Sequence, residues 1–152
     1  MIKKFSILCS LLMLYSCNSD NIEFLEVYYY SPGPSTPSRT FCSSNLFIST
    51  SSEVRYKKLV DKSFLVEFEN QLKKLKPSDE FSINSRAFAL INYRDGNIDT
   101  LCVGEYRGIC LNGDIKIHNQ EFHNLMLNEI DFYDKKLNDE MYKDKLKTNN
   151  SN

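Results

Sequence analysis

The chain has 152 residues, with 19 Lys and Arg against 20 Asp and Glu and a formal net charge of −1. This length suits a single domain, and a near-neutral chain offers no basic footprint for nucleic acid. Nine Tyr and ten Phe, with no Trp, supply the apolar bulk of one real core.

Residues 1–16 divide into parts. Lys3 and Lys4 give a short positive stretch, and the almost wholly apolar run from Phe5 closes on Leu14-Tyr15-Ser16, just before Cys17. A positive start, an apolar run and a small residue at the cut are the layout of a secretory signal peptide. Eleven helical residues rise about 17 Å, against about 30 Å of hydrocarbon, so the run is too short to cross a bilayer. Asn18, Ser19 and Asp20 end it in polar groups.

Leu14-Tyr15-Ser16-Cys17 resembles the lipobox of bacterial lipoproteins, with Leu three places before the Cys and a small residue directly before it. Tyr15 departs from the small or aliphatic residue usual at its position. The resemblance covers the first 17 residues. It implies cleavage before Cys17, a diacylglycerol on its sulfur and an acylated new amino terminus. It also implies an extracytoplasmic place in the cell envelope, at the outer membrane of a Gram-negative bacterium. Several acyl chains, at about 0.8 kcal/mol per buried CH₂, anchor stably where one alone is marginal. The alternative is an ordinary secretory signal with Cys17 a plain thiol.

Cleavage leaves about 136 residues, the size of one domain. Residues 17–21 form a short tether, because a strand begins at once. From Ile22 to Tyr30, Leu25, Val27 and Tyr29 fall on one side and Phe24, Tyr28 and Tyr30 on the other. Ser31 to Ser38 holds Pro32, Pro34 and Pro37 and reads as an exposed loop, since each proline fixes φ and lacks an N–H. Its plain reading is a connector; its sharper reading is a partner-contacting loop with Tyr30 and Arg39 at its base. Leu46 to Thr50 is a short strand, and Val54 to Tyr56 continues the hairpin as a weak edge strand.

Asp61 to Leu75 is expected as a helix with Phe64, Phe68, Leu72 and Leu75 on one stripe. Asp61 can cap its start, and Lys76-Pro77 stops it. Ile83 to Tyr93 is apolar on both faces around Ala87 to Ile91, as in the middle of a sheet. Arg94-Asp95-Gly96-Asn97 reads as a type I′ hairpin turn. Ile98 to Val103 returns, Gly104 to Gly108 turns again, and Ile109 to Leu111 completes a meander of three strands before Asn112-Gly113. A second helix is expected from Asn119 to Lys136, its stripe Phe122, Leu125, Met126, Ile130 and Tyr133. Residues 22–137 thus form the domain, and 138–152 make a polar tail without apolar period.

With Cys17 lipidated, Cys42, Cys102 and Cys110 remain, an odd set with room for one internal disulfide. If Gly104 pairs with Gly108, Cys102 faces Cys110 across the hairpin. A non-hydrogen-bonded pair there would bring the Cα atoms to about 4.5 Å, within disulfide reach. A bulge at Gly108 would separate them. Three outcomes stay open: Cys102 with Cys110, Cys42 with either one, or all three as thiols.

No chemistry-bearing constellation emerges. Cys102, Cys110 and His118 lack metal-ligand spacing, and His118 and His123 are five apart, off a shared helical face. Cys42 with His118 or His123 is conceivable as a nucleophile pair but has no local motif in support. Asp99-Thr100-Leu101 resembles an O-glycosylation motif of some envelope proteins, against the plain reading of an ordinary strand.

The order β, β, α, three-strand meander, α predicts an α+β two-layer sandwich, an antiparallel sheet with both helices on one face. The other face should carry Tyr, Arg and Thr. No metal or cofactor is expected. The expected function is a non-enzymatic binding module for another envelope or secreted protein, of the inhibitor or immunity type or an envelope-complex accessory. The alternatives are a small thiol-dependent envelope enzyme and a structural lipoprotein with no discrete partner. Cys17→Ser is expected to release the protein from membranes and abolish metabolic lipid labelling; a labelled, membrane-bound variant contradicts the lipobox.

Overall fold

The sheet begins where alternation predicts. In the computed structural model, which describes residues 21–30, 41–44, 54–80 and 82–134, strand β1 spans Ile22–Tyr30 and buries Ile22, Leu25, Val27 and Tyr29. Strand β2, Val54–Leu59, pairs antiparallel beside it, from Tyr30↔Val54 to Leu25↔Leu59. It runs past the expected Tyr56. Cys17, expected to carry lipid, the proline loop with Arg39, the strand expected at 46–50 and the tail 138–152 lie outside the described residues.

Helix α1, Lys62–Leu72, starts where expected, with Asp61 accepting the Phe64 N–H at 2.9 Å. It ends before Leu75. The Lys74 and Leu75 N–H groups turn to the carbonyls of Gln71 and Leu72, and Ser78 and Ile117 then exchange backbone bonds with Ile115 and Lys76. Docking against the sheet edge, rather than Pro77, sets the stop.

Strands β3 (Ser85–Tyr93), β4 (Ile98–Gly104), β5 (Ile109–Leu111) and β6 (Asp114–Lys116) follow as a meander. Its last strand was not expected. The two hairpin turns explain why. Asn112 and Gly113 have φ of 52° and 87°, the paired left-handed residues of a type I′ turn, and they fold β6 back on β5. At Asp95-Gly96 only Gly96 is left-handed, with φ of 86°. The Gly96 N–H there bonds Tyr93 O and the Tyr93 N–H bonds Asn97 O, so the turn is a type I turn with a bulge. β6 escapes sequence reading because Asp-Ile-Lys is too short to show a period.

Helix α2, Gln120–Glu129, is capped by Asn119, whose Oδ1 accepts the Phe122 N–H at 3.0 Å. It stops well before Lys136. Asp131 adopts φ of 53°, the Phe132 N–H reaches Leu127 O, and the Asp131 N–H reaches Asn128 O. That is a Schellman ending with Asp where Gly usually sits.

The result is an α+β sandwich with sheet order β2-β1-β3-β4-β5-β6, every neighbour antiparallel. Phe64, Phe68 and Leu72 of α1 meet Phe122 and Met126 of α2 over Leu25, Val27, Ala89, Ile91 and Leu101. The Phe68 and Phe122 rings lie 5.3 Å apart, and both are fully buried. Burying one such side chain stabilises by about 1.5–3 kcal/mol.

The opposite face is not bare. Ile83, Phe88, Cys102 and Cys110 are buried there, with Tyr28, Tyr30, Cys42, Leu90 and Ile115 packed around them. The disulfide that the hairpin suggested, Cys102 with Cys110, does not form. Cys102 is bonded to Cys42, and Cys110 is a buried thiol. The register is the one expected, with Cys102 directly across from Cys110. The pair's class differs. Gly104 N–H bonds Gly108 O, and Asn112 N–H bonds Thr100 O. Two residues inward from each lies Cys102–Cys110, which is therefore a hydrogen-bonded pair, with Cβ atoms at the far end of about 4.5–5.5 Å. A disulfide wants about 3.5–4.5 Å. Closing 60 residues of chain, the Cys42–Cys102 bond contributes about 4 kcal/mol on the chain-entropy model. Peptide mapping without reductant should recover a Cys42–Cys102 cross-link, with Cys110 alkylated only after unfolding; a Cys102–Cys110 cross-link would contradict this.

Candidate functional site

The non-helical face is organised in rows, because side chains at matching register positions share a face. One row crosses all six strands: Tyr56, Tyr28, Phe88, Cys102, Cys110, Ile115. Its exposure falls inward, from 52% at Tyr56 to 2% at Phe88 and 0% at Cys102. Tyr28 and Tyr56 have ring centroids 5.1 Å apart, and Tyr28 and Phe88 6.5 Å, all tilted. Such pairs hold one another's orientation without covering the outer ring.

The neighbouring row is Lys58, Glu26, Leu90, Thr100. The Tyr56 hydroxyl donates to Glu26 Oε1 at 3.1 Å, and Lys58 Nζ sits 3.6 Å over the Phe24 ring. Desolvation, followed by the Glu26 carboxylate, holds the Tyr28 phenol above its ordinary range. The Tyr56 phenol is raised as well, by desolvation and then its bond to Glu26. Both therefore remain hydrogen-bond donors at any ordinary pH. The exposed end of the face thus offers two phenols, one carboxylate and one ammonium on a stiff sheet.

Of the two residues suggested as partner contacts, Tyr30 lies half-buried against the Phe88–Cys102 cluster, as Tyr28 does. The exposed ring of the row is Tyr56, which was not singled out. Tyr56 could have been singled out as the odd apolar residue of a polar edge strand. Thr100 lies half-buried, its N–H donating to Asn112 Oδ1 at 2.8 Å, while Asn112 Nδ2 donates to Asp99 at 2.7 Å. Asn112 thereby ties the type I′ turn to β4.

A second polar cluster gathers at the Gly104–Gly108 turn. His123, 2% exposed, has Nε2 2.8 Å from Gly104 O, so Nε2 carries the proton and donates. Its Nδ1 is buried without a hydrogen-bond partner among the described residues. Arg86 and Glu105 form an ion pair at 3.5 Å nearby, both largely buried, and the Tyr133 hydroxyl donates to Glu105 O. The His118 and His123 rings approach to 5.2 Å, edge to face. The two histidines therefore meet although five residues apart, because His118 precedes the helix and turns back; His118 Nε2 is paired with Gln120 Oε1 at 3.1 Å.

Cys42, the thiol considered as a nucleophile, is consumed in the disulfide. Burial pushes the Cys110 thiol up from its ordinary value, away from the reactive thiolate. Two open surface clefts occur among the described residues, one beside the start of α2 and one beside residues 77–80 and 82, of about 450 and 760 Å³. Lys74, Lys76, His118 and Glu121 line the first, and Asp79, Glu80 and Arg107 the second, with no converging set of buried polar groups. Among the described residues, no three His, Cys, Asp or Glu side chains gather around one point, and no helix is long and apolar enough to cross a membrane.

Comparison of the chain with protein-family models, with curated proteins and with solved structures finds no match.

Burial holds the His123 imidazole below its ordinary 6.5, the Gly104 bond opposing and His118 reinforcing the shift. The folded state then binds the proton less readily than the unfolded one. Stability from this group is full above about pH 6.5 and is lost as pH falls through the unfolded value towards the folded one. Urea unfolding midpoints should therefore drop between pH 7 and 5, and His123→Gln should flatten that slope. Equal slopes in both proteins contradict the assignment.

Proposed function

We propose that this protein is a lipid-anchored, extracytoplasmic binding module that acts by contact with another envelope or secreted protein, without catalysis of its own. The observation that carries the reading is the exposed end of the aromatic row, Tyr56 beside Tyr28, flanked by Glu26 and Lys58 over Phe24.

Physical considerations support it. Tyr presents a large, stiff apolar body with a polar tip, at the cost of two side-chain torsions, and is enriched at protein interfaces. The sheet beneath prevents these rings from collapsing inward. Lys58 and Glu26 add charges of opposite sign, which select register more than they add affinity. On the other side of the ledger, Cys42 is oxidised and Cys110 buried, so a thiol enzyme has no ready nucleophile among the described cysteines.

Affinity purification from membranes tests the proposal, with wild type compared against Tyr56→Ser and Lys58→Ser. Both positions are exposed, so the fold should survive. A specific co-purifying protein should be retained by wild type and weakened about 30-fold by Tyr56→Ser, the effect of losing one hot-spot side chain. Failure to recover any reproducible partner, or recovery undiminished in both variants, counts against the module or against this face.

A further inference from the structure

The first described residue is fastened on both sides. The Asn21 N–H donates to Glu69 Oε2 at 3.1 Å, and the Asn21 carbonyl accepts the Arg94 N–H at 2.9 Å. Glu69 is itself 7% exposed and held by Lys73 Nζ at 2.7 Å. The entry of the chain is therefore tied to α1 and to the Arg94–Asn97 turn, at one end of the strands. From Cys17 to Asn21 the chain can reach at most about 14 Å. Strand β1 then runs nine residues away from that point, about 30 Å. Its far end lies level with Ser85 and the turn that joins β4 to β5, since Tyr29 pairs with Ala87 and Ser85 with Gly104.

Both ends expose apolar side chains. Val60 and Ile98, 61% and 57% exposed, stand at the near end, level with Phe24. Tyr106, 77% exposed, stands on the far turn, and Ile117, 54% exposed, lies level with it beyond β6. Exposed apolar surface therefore does not choose between the ends; the short reach from Cys17 to the fastened Asn21 does, and Val60 and Ile98 suit a headgroup boundary once that end is brought to it.

We propose that in the lipid-anchored protein the end bearing Asn21, Val60, Ile98 and the Arg94–Asn97 turn faces the phospholipid headgroups, and that the turn bearing Tyr106 is held farthest from them. This rests on the lipobox reading of Cys17. It deepens that reading by assigning the partner surface: lipid at one end of the sheet, with the Tyr56–Tyr28 face standing upright and open to the side.

The test uses the full lipidated chain in phosphatidylethanolamine–phosphatidylglycerol vesicles containing a headgroup nitroxide lipid. A fluorophore is placed through Asn97→Cys or Tyr106→Cys in a Cys110→Ser background, with Cys17→Ser versions alongside. The probe at 97 should be quenched at least three-fold more than the probe at 106. Equal or reversed quenching in a bound, lipid-labelled protein overturns the orientation while leaving the anchor intact. A chain that carries no lipid and floats free overturns the anchor, and the orientation falls with it.

Discussion

The register of β3 between β1 and β4 is the constraint on which the rest depends. With Phe88 opposite both Tyr28 and Cys102, the odd-numbered residues Ala87, Ala89 and Ile91 face the helices and the even-numbered ones face away. A slip of β3 by one residue would exchange its two faces. It would send Phe88 under α1 and Ala89 and Ile91 into the opposite cluster. That choice is heavily enforced, because Leu25, Val27, Ala89, Ile91 and Leu101 are all essentially without solvent contact on the helical side. The disulfide follows from it: Cys102 can meet Cys42 only because its side chain points away from the helices.

Much of this was legible in the sequence, and for a plain reason. β1 alternates cleanly and its bounds are those expected, and the pairing of Leu101, Cys102 and Val103 with Leu111, Cys110 and Ile109 follows from keeping apolar residues on one face. Periodicity reports faces. It does not report which pairs exchange hydrogen bonds, and that property decided the sulfur chemistry. Nor does it report helix ends set by docking. Leu75 and Tyr133 continue their stripes in sequence, yet the backbone has already left the helix, at the β6 edge in one case and at Asp131 in the other. The candidate interface was legible in kind, a face carrying Tyr and Thr. It was less legible in place: Tyr30 is half-buried like Tyr28, and the exposed ring, Tyr56, was not singled out.

The two faces solve different problems. The helical side is apolar at its centre, and its aromatic contact between Phe68 and Phe122 joins the two helices. The other side changes character along its rows, from sulfur, Phe and Leu at the centre to phenol, carboxylate and ammonium on β1 and β2. Such a gradient keeps the exposed rings stiff: Tyr56 leans on Tyr28, Tyr28 on Phe88, and Phe88 sits beside a disulfide-linked neighbour. A ring that is already ordered loses little conformational freedom on binding, and that is where an exposed aromatic gains its affinity.

Strand β2 closes the described sheet on that side, which raises the question of edge or face. An open edge invites pairing with any extended chain. Arg55, Lys57 and Lys58 make this strand basic, and charge of one sign on an edge opposes such pairing. Lys57 is further held on the helical side, by Glu129 O and by Asp131 at 3.1 Å, which fixes β2 against the end of α2. What remains for a partner is the flat side of β2 and β1, where Tyr56, Tyr28 and Phe24 lie between Lys58 and Glu26. Recognition there reads side chains, not backbone, and so distinguishes one folded protein from another.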